Sequence, residues 1–175
     1  MREIDAQLIK RAERIKLMVT DVDGVLTNTT VYYTPDGDYM RGFSVRDGMG
    51  VERLRNKANI ETVIISGERS ASILKRAEKL GIRCCYLGID NKLSTLQTIT
   101  SQKGLQMYEV AYIGDDLNDM DVIGAVGLSA CPSDAYESLL SEVHIVCEKK
   151  GGEGAFREFA EFIIKSKGLK LEKED

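Results

Sequence analysis

The chain has 175 residues, of which 43% are hydrophobic and 30% are charged, and its formal net charge is −4. This length allows one domain with a single core, and the composition is typical of a globular protein. The acidic balance argues against a nucleic-acid partner or an anionic membrane surface, because binding to phosphate groups requires clustered basic residues.

The N-terminal segment MREIDAQLIKRAERIK is charged and helix-like and lacks the apolar core of a signal peptide. No later run approaches the roughly 20 apolar residues that span a bilayer. The four cysteines form no C-x-x-C pair and His144 is the only histidine, which disfavours a zinc site. We therefore predict a cytoplasmic protein with reduced thiols and no membrane partner.

The first third of the chain predicts a strand, a hairpin and a helix. Residues 15–20 form a short apolar run that is typical of a buried strand. Residues 29–44 carry β-branched and aromatic residues on both sides of a Pro-Asp-Gly sequence, which predicts a protruding β-hairpin that turns at the Asp-Gly pair. Asp47 is predicted to cap the N-terminus of the following helix.

Strands and helices alternate through the rest of the chain. The predicted strands are ETVIIS, IRCCYL, VAYIG, AVGLSA and VHIVC, and the predicted helices are ERSASILKRAEKL, KLSTLQTITSQK, DLNDMDVIG, DAYESLLSE and GAFREFAEFIIKSK. This alternation predicts an α/β, Rossmann-like fold, a parallel sheet with helices on both faces. One domain would cover residues 1–175, with a fraying tail at 166–175.

Four predicted strands are followed by residues that suit magnesium and phosphate. Because ligands of such sheets bind beyond the carboxyl ends of the strands, we expect these side chains to meet there. Carboxylates bind hard divalent cations, and a lysine, a hydroxyl and backbone N–H groups hold phosphate oxygens. The residues are Asp21, Asp23, Ser66, Gly67, Lys92, Asp115, Asp116 and Asp119.

The same residues carry a resemblance to a known family. DVDGV, Ser66, Lys92 and GDDLND resemble the four motifs of the haloacid dehalogenase superfamily of phosphohydrolases, in the family's order. The resemblance covers residues 16–165, and four ordered motifs are more specific than one D-x-D pair. It implies the same parallel sheet and a magnesium-dependent phosphatase.

The resemblance also implies the chemistry of each residue. Asp21 would be the nucleophile that forms an aspartyl-phosphate, and Asp23 would be the general acid and then the general base. Ser66, Gly67 and Lys92 would bind the phosphoryl group and neutralise its charge.

The implied cofactor is Mg²⁺. Its ligands would be the Asp21 carboxylate, the Asp23 backbone carbonyl and Asp115. A further acidic residue, either Asp119 or Asp116, would assist directly or through water. The residues alone do not decide between these two.

The spacing between the motifs leaves no room for the cap domain that many family members carry. Residues 23–66 hold only the hairpin and one helix, and residues 66–92 only a helix and a strand. An open site must accept a macromolecule or take a lid from a neighbouring subunit. Because Tyr32, Tyr33 and Tyr39 would be poorly buried on a monomer, we predict a homo-oligomer that associates through the hairpins.

A narrower resemblance is carried by the hairpin, FSVRDGMG, GDDLNDM, VGLSACPSDA and GGEGAFREF. Together they resemble the 3-deoxy-D-manno-octulosonate (KDO) 8-phosphate phosphatases, relatives acting on nine-carbon (KDN or sialate) ulosonate 9-phosphates, and the C-terminal domains of some cytidylyl-sialate synthetases. The resemblance implies a homotetramer acting on a small phosphorylated sugar acid. Arg46, Asp47 and the GGEG segment would lie near the sugar, although both residues could instead serve the helix start.

One position departs from the eight-carbon pattern. The octulosonate enzymes commonly show SGR, whereas this chain has SGE, with Glu68. A carboxylate there would repel the carboxylate of a sugar acid and suits hydroxyl groups, and the nine-carbon relatives favour glutamate. Both substrate classes stay open.

Two non-catalytic alternatives remain. Phospho-receiver domains also place aspartates, a hydroxyl and a lysine around magnesium on a parallel sheet, but their lysine comes late, whereas Lys92 precedes the GDD motif. A synthetase-associated interaction domain without activity would not need the catalytic residues, and all of them are present.

Overall fold

A central sheet of six parallel strands dominates the structure, a computed structural model that describes residues 5–169 apart from the side chains of Asp38 and Tyr39. The strands are β1 (Leu17–Thr20), β4 (Glu61–Ser66), β5 (Cys84–Leu87), β6 (Val110–Ile113), β7 (Leu128–Cys131) and β8 (Ile145–Val146). Their order across the sheet is β5-β4-β1-β6-β7-β8, so β1 lies between β4 and β6.

Within residues 5–169, six α-helices cover both faces of this sheet. They are α1 (Ala6–Glu13), α2 (Val45–Ala58), α3 (Ala71–Leu80), α4 (Lys92–Lys103), α5 (Met120–Ala125) and α6 (Ala155–Ser166). Side chains of a strand alternate between faces. Accordingly Met18 packs in the cluster formed with α2, α3 and α6, whereas Leu17 and Val19 pack in the cluster formed with α4 and α5. The α/β prediction with helices on both faces is confirmed.

A separate antiparallel hairpin follows β1. It consists of β2 (Val31–Thr34) and β3 (Gly37–Arg41), and Gly37 has a φ of 117° at the turn, a conformation that glycine tolerates best. Tyr32 is 55% exposed and Tyr33 is 68% exposed, as predicted for a hairpin that is poorly buried on one chain. The side chain of Tyr39 lies outside the described residues.

Two local predictions are wrong. Helix α2 begins at Val45 and its N-cap is Ser44, whose hydroxyl accepts the N–H of Asp47, so the earlier serine takes the role predicted for Asp47. The predicted helix DAYESLLSE is a single 3-10 turn at Glu137–Leu139. Of its apolar side chains Leu139 is buried but Tyr136 and Leu140 are exposed, so no apolar face drives a longer helix.

The segments between the motifs hold no cap domain within residues 5–169. Between β1 and β4 lie the hairpin and α2, and between β4 and α4 lie α3 and β5. None of the helices in this described part of the chain is long and apolar enough to cross a membrane. Residues 170–175 of the predicted tail lie outside the described residues.

Candidate active site

The carboxyl ends of β1, β4 and β6 meet at one edge of the sheet, because β1 pairs in parallel with both neighbours. A cavity of about 210 Å³ lies at this edge. Seven of the predicted residues line it together with Thr29 and Asn118, namely Asp21, Asp23, Ser66, Gly67, Glu68, Asp115 and Asp116. The structure thus brings together residues from three separate strand ends, as the parallel topology predicts.

Lys92 lies at the first position of α4 and is buried beside the cavity. Its Nζ is 3.2 Å from Asp21 Oδ1 and 2.6 Å from Asp119 Oδ1. Burial works against the charge of this amine, but the two carboxylates outweigh it and raise the pKa of Lys92. The lysine is therefore a fixed cation beside the proposed nucleophile.

The buried carboxylate of Asp119 connects Lys92 to the acidic loop through hydrogen bonds. Its Oδ1 accepts hydrogen bonds from Lys92 and, at 2.5 Å, from the Tyr112 hydroxyl. Its Oδ2 accepts the backbone N–H of Asp115 at 2.9 Å and that of Asp116 at 3.3 Å. Asp119 thereby fixes both the lysine and the acidic loop. Tyr112 was not predicted as a site residue, because its one signal in the sequence is a tyrosine in an otherwise aliphatic core strand.

Three carboxylates form a cluster that suits a metal ion. One oxygen each of Asp21, Asp115 and Asp119 lies within 4.8 Å of the others. Burial, opposed by Lys92, raises the pKa of Asp21 to about 7, and burial with the neighbouring carboxylates raises that of Asp115 to about 8. An all-oxygen donor set with crowded negative charge fits a hard divalent cation.

Close packing preserves this cluster. Gly24 follows the D-x-D pair with a φ of 84°, and a Cβ added there would lie 1.8 Å from Asp115 Oδ2. Only glycine allows the loop after β1 to approach Asp115 so closely. Steric exclusion of a side chain therefore explains why the DVDGV sequence has glycine at position 24.

The Asp23 carboxylate faces a different set of partners. Its Oδ1 accepts hydrogen bonds from Arg41 Nε at 2.8 Å and from Thr27 Oγ1 at 3.3 Å. Its Oδ2 is buried and has no hydrogen-bond partner among the described residues. Arg41 and Thr27 were not predicted as site residues, because nothing in the local sequence pattern distinguishes a hairpin arginine that turns inward.

Ser66 and Glu68 complete the rim at the end of β4. Ser66 is buried, and its hydroxyl accepts the N–H of Glu68 at 3.2 Å. The Glu68 carboxylate is largely exposed and lies 3.6 Å from Arg41 Nη2. The negative charge of Glu68 in the SGE sequence is thus next to the buried guanidinium of Arg41.

Arg46 and Asp47 are not brought into this cavity. Arg46 is exposed and lines a separate cavity of about 430 Å³ with Lys149 and Gly152. Asp47 is buried, and its carboxylate accepts the N–H groups of Gly154 at 3.2 Å and of Arg157 at 3.0 Å. Asp47 therefore ties α2 to the N-terminus of α6, where a carboxylate is favoured.

Replacing Asp47 with asparagine should lower the free energy of unfolding by roughly 1–3 kcal/mol, because one buried N–H of α6 loses its acceptor. KM should change little, since this side chain lies outside the cavity. Urea unfolding and steady-state kinetics test both points, with Glu52→Gln on the same helix as control. A raised KM at unchanged stability would instead support a substrate role for Asp47.

Without metal, the acidic cluster should make stability depend on pH. Asp21 and Asp115 have pKa values of about 7 and about 8 in the folded protein, whereas an unfolded aspartate titrates near about 4. The folded state then binds more protons across this window, so stability should fall as pH rises from about 4 to about 8.

Mg²⁺ competes with these protons, so its stabilising effect should be larger at pH 8 than at pH 5. Thermal unfolding with Mg²⁺ or EDTA across this pH range measures both effects. Asp115→Asn should flatten the upper part of the metal-free profile. A Mg²⁺ effect independent of pH would contradict this account of the cluster.

The fold and this edge of the sheet correspond to a class of hydrolases. The family model described as haloacid dehalogenase-like hydrolase matches residues 88–158, which contain Lys92 and the acidic loop. The 3-deoxy-D-manno-octulosonate 8-phosphate phosphatase KdsC of Yersinia pestis is 40% identical over 157 residues, covering 90% of this chain and 83% of the relative.

Solved structures agree with this assignment. The crystal structure of the Yersinia pestis phosphatase matches with a TM-score of 0.91 at 38% identity, covering 94% of this chain and 89% of that one. The Moraxella catarrhalis phosphatase, solved with magnesium, phosphate and KDO, matches with a TM-score of 0.90 at 33% identity, covering 94% of both chains. The chain belongs to the haloacid dehalogenase-like hydrolases and, among them, to the family of KDO 8-phosphate phosphatases, so it is an enzyme of the phosphomonoesterase class.

Proposed function

We propose that this enzyme is a magnesium-dependent phosphatase that removes the terminal phosphate of a 3-deoxy-2-ulosonic acid phosphate, either KDO 8-phosphate or a nine-carbon 9-phosphate. The convergence of Asp21, Asp23, Lys92 and Asp115 around one cavity carries the proposal. The names of its relatives support the substrate class. A single domain over residues 1–175 and a cytoplasmic location stay predictions.

The first half of the reaction would be an attack by Asp21. A bond forms between its carboxylate oxygen and phosphorus while the bond from phosphorus to the sugar oxygen breaks. The departing alkoxide takes a proton held at Asp23, whose side chain lines the cavity. Lys92, close to Asp21, would offset charge on the transferring group.

The second half reverses the role of Asp23. Its carboxylate takes a proton from water, the water oxygen attacks phosphorus, and the bond to Asp21 breaks. Inorganic phosphate leaves, Asp21 is free again and Asp23 carries the proton for the next cycle. Ser66 and the N–H of Gly67, both lining the cavity, would hold phosphate oxygens in both halves.

The metal would be held by the Asp21 carboxylate, the Asp23 backbone carbonyl and Asp115. It would supply positive charge for the phosphoryl oxygens and keep the two carboxyl groups ionised. Asp116 lines the cavity and Asp119 lies in the acidic cluster, so both remain candidates for assisting it.

Glu68 is the proposed discriminator between eight-carbon and nine-carbon substrates. It lines the cavity and is exposed, so its carboxylate can face the sugar. Turnover of KDO 8-phosphate and of nine-carbon ulosonate 9-phosphates should be compared for the wild type and Glu68→Arg. We expect the wild type to favour a nine-carbon compound and the variant to shift toward KDO 8-phosphate.

A result in which both sugar acids are hydrolysed no faster than simple alkyl phosphates would contradict the substrate class while leaving the phosphatase assignment intact. EDTA should abolish turnover and Mg²⁺ should restore it. Activity that persists in EDTA would contradict the metal site itself.

We also propose that the enzyme is a homo-oligomer, with a tetramer as the expected form. The exposed side chains of Tyr32, Tyr33 and Met40 make the hairpin a candidate contact. Sedimentation velocity of the wild type and of Tyr33→Ser tests this. A monomer at all concentrations would remove the explanation for an open, capless site.

A further inference from the structure

Arg41 lies at the end of β3, and its guanidinium forms an ion pair with Asp23 at the active-site edge. Its side chain is 0% exposed, although the neighbouring Met40 is 48% exposed. An arginine is seldom fully buried unless it is paired with negative charge. The carboxylates of Asp23 and Glu68 are among the partners of Arg41.

Arg41 shares its contact with Asp23 with a second hydrogen-bond donor. Arg41 Nε and Thr27 Oγ1 both donate to Oδ1, at 2.8 Å and 3.3 Å. Oδ2 has no hydrogen-bond partner in the described part of the chain. Two donors on one oxygen fix the rotation of the Asp23 carboxyl group at the cavity that this residue lines.

The backbone of Arg41 is held in place by the hairpin itself. Arg41 pairs with Val31 at the base of the two strands. Asp23, in contrast, lies in the loop that follows β1 of the central sheet. The orientation of the Asp23 carboxyl thus depends on a segment that belongs to neither the sheet nor its helices.

We propose that Arg41 is a positioning residue for the proton transfers of Asp23. It would hold the carboxyl group in the orientation in which it gives a proton to the leaving sugar oxygen and then takes one from water. Glu68, 3.6 Å from Nη2, would keep the guanidinium in that place. The inference rests on the proposed roles of Asp21 and Asp23.

A substrate that needs no proton distinguishes this role from a structural one. A sugar alkoxide is a poor leaving group and must be protonated, whereas p-nitrophenolate leaves without a proton. Loss of Arg41 should therefore slow the attack on a sugar phosphate but hardly slow the first release of p-nitrophenolate. Hydrolysis of the phosphorylated Asp21 should be slowed with either substrate, because water must still lose a proton to Asp23.

The experiment compares Arg41→Gln and Arg41→Lys with the wild type. For Arg41→Gln we expect kcat on the sugar phosphate to fall by about tenfold or more at nearly unchanged KM. With p-nitrophenyl phosphate in a rapid-mixing instrument, it should show a burst larger than the wild type, approaching about one equivalent per chain. Arg41→Lys should recover part of the sugar-phosphate rate.

Arg83→Gln is the matched control, since Arg83 is exposed just before β5 at the opposite edge of the sheet. It should behave as the wild type with both substrates. Thermal unfolding would show whether Arg41→Gln folds. If it does not, Arg41→Lys is compared with the wild type on both substrates instead. Lysine keeps the positive charge but lacks the guanidinium that contacts Asp23 and Glu68 at the same time.

The positioning role would be overturned if Arg41→Gln lowered the rate equally on both substrates without a burst. It would also be overturned if the variant lowered neither rate. Failure of the proposed function itself would look different. In that case the wild type would hydrolyse neither substrate, or Asp21→Asn would remain active, whatever the Arg41 variants do.

Discussion

Replacing Asp21 with asparagine should lower kcat by roughly 10³-fold or more, because an amide oxygen cannot replace the attacking carboxylate. The fold should survive, since asparagine has nearly the same shape and its oxygen can still accept from Lys92. Burial raises the pKa of Asp21 to about 7, so the carboxylate is costly where it lies. Removing its charge should leave the melting temperature of the metal-free protein unchanged or higher.

Mass spectrometry of acid-quenched reactions gives the sharper readout. The wild type should carry one phosphoryl group during turnover, and Asp21→Asn should carry none. Asp121→Asn is the control, because Asp121 is an exposed carboxylate in the first turn of α5. It should keep both activity and phosphorylation. Near-normal hydrolysis by Asp21→Asn would refute the nucleophile assignment.

Replacing Lys92 with methionine should lower the free energy of unfolding of the metal-free protein by roughly 3–5 kcal/mol. The variant removes the cation that lies 3.2 Å from Asp21 and 2.6 Å from Asp119 and leaves these buried carboxylates facing each other. Turnover should be lost as well, because no positive side chain would remain beside the attacking group. Urea unfolding in EDTA measures the stability change.

Lys103 at the other end of α4 supplies a matched control. It forms an ion pair with Glu61, but both side chains are partly exposed, so Lys103→Met should cost no more than about 1 kcal/mol. Adding Asp119→Asn to Lys92→Met should restore part of the lost stability by removing one unpaired charge. Similar losses of unfolding free energy in Lys92→Met and Lys103→Met would contradict the buried ion-pair network.

Several features could be predicted from the sequence because they are local or follow from topology. Helices α3 and α4 are C-capped by Gly81 and Gly104, each in the left-handed conformation, and a glycine directly after a helix is a local stop signal. The meeting of Asp21, Ser66 and Asp115 follows from the rule that parallel neighbours end at the same edge. Both features can be inferred without knowing which side chains are in contact.

Other features arise only when distant elements pack. Asp47 accepts from the N-terminus of α6, more than a hundred positions along the chain, so its spacing from the helix start predicted the wrong role. The Tyr112 hydroxyl reaches Asp119 from inside the sheet, where a tyrosine would otherwise count as core. No periodicity encodes such pairs.

The sequence by itself determined the parallel sheet, the order of its acidic and basic strand ends and the phosphatase family, because periodicity and motif order are properties of the chain. Only the tertiary structure decided which donors hold the Asp23 carboxyl group. That depends on Arg41, which approaches from a separate hairpin. Hydrogen bonds are directional and short, so their partners are fixed by the packed geometry and not by spacing along the chain.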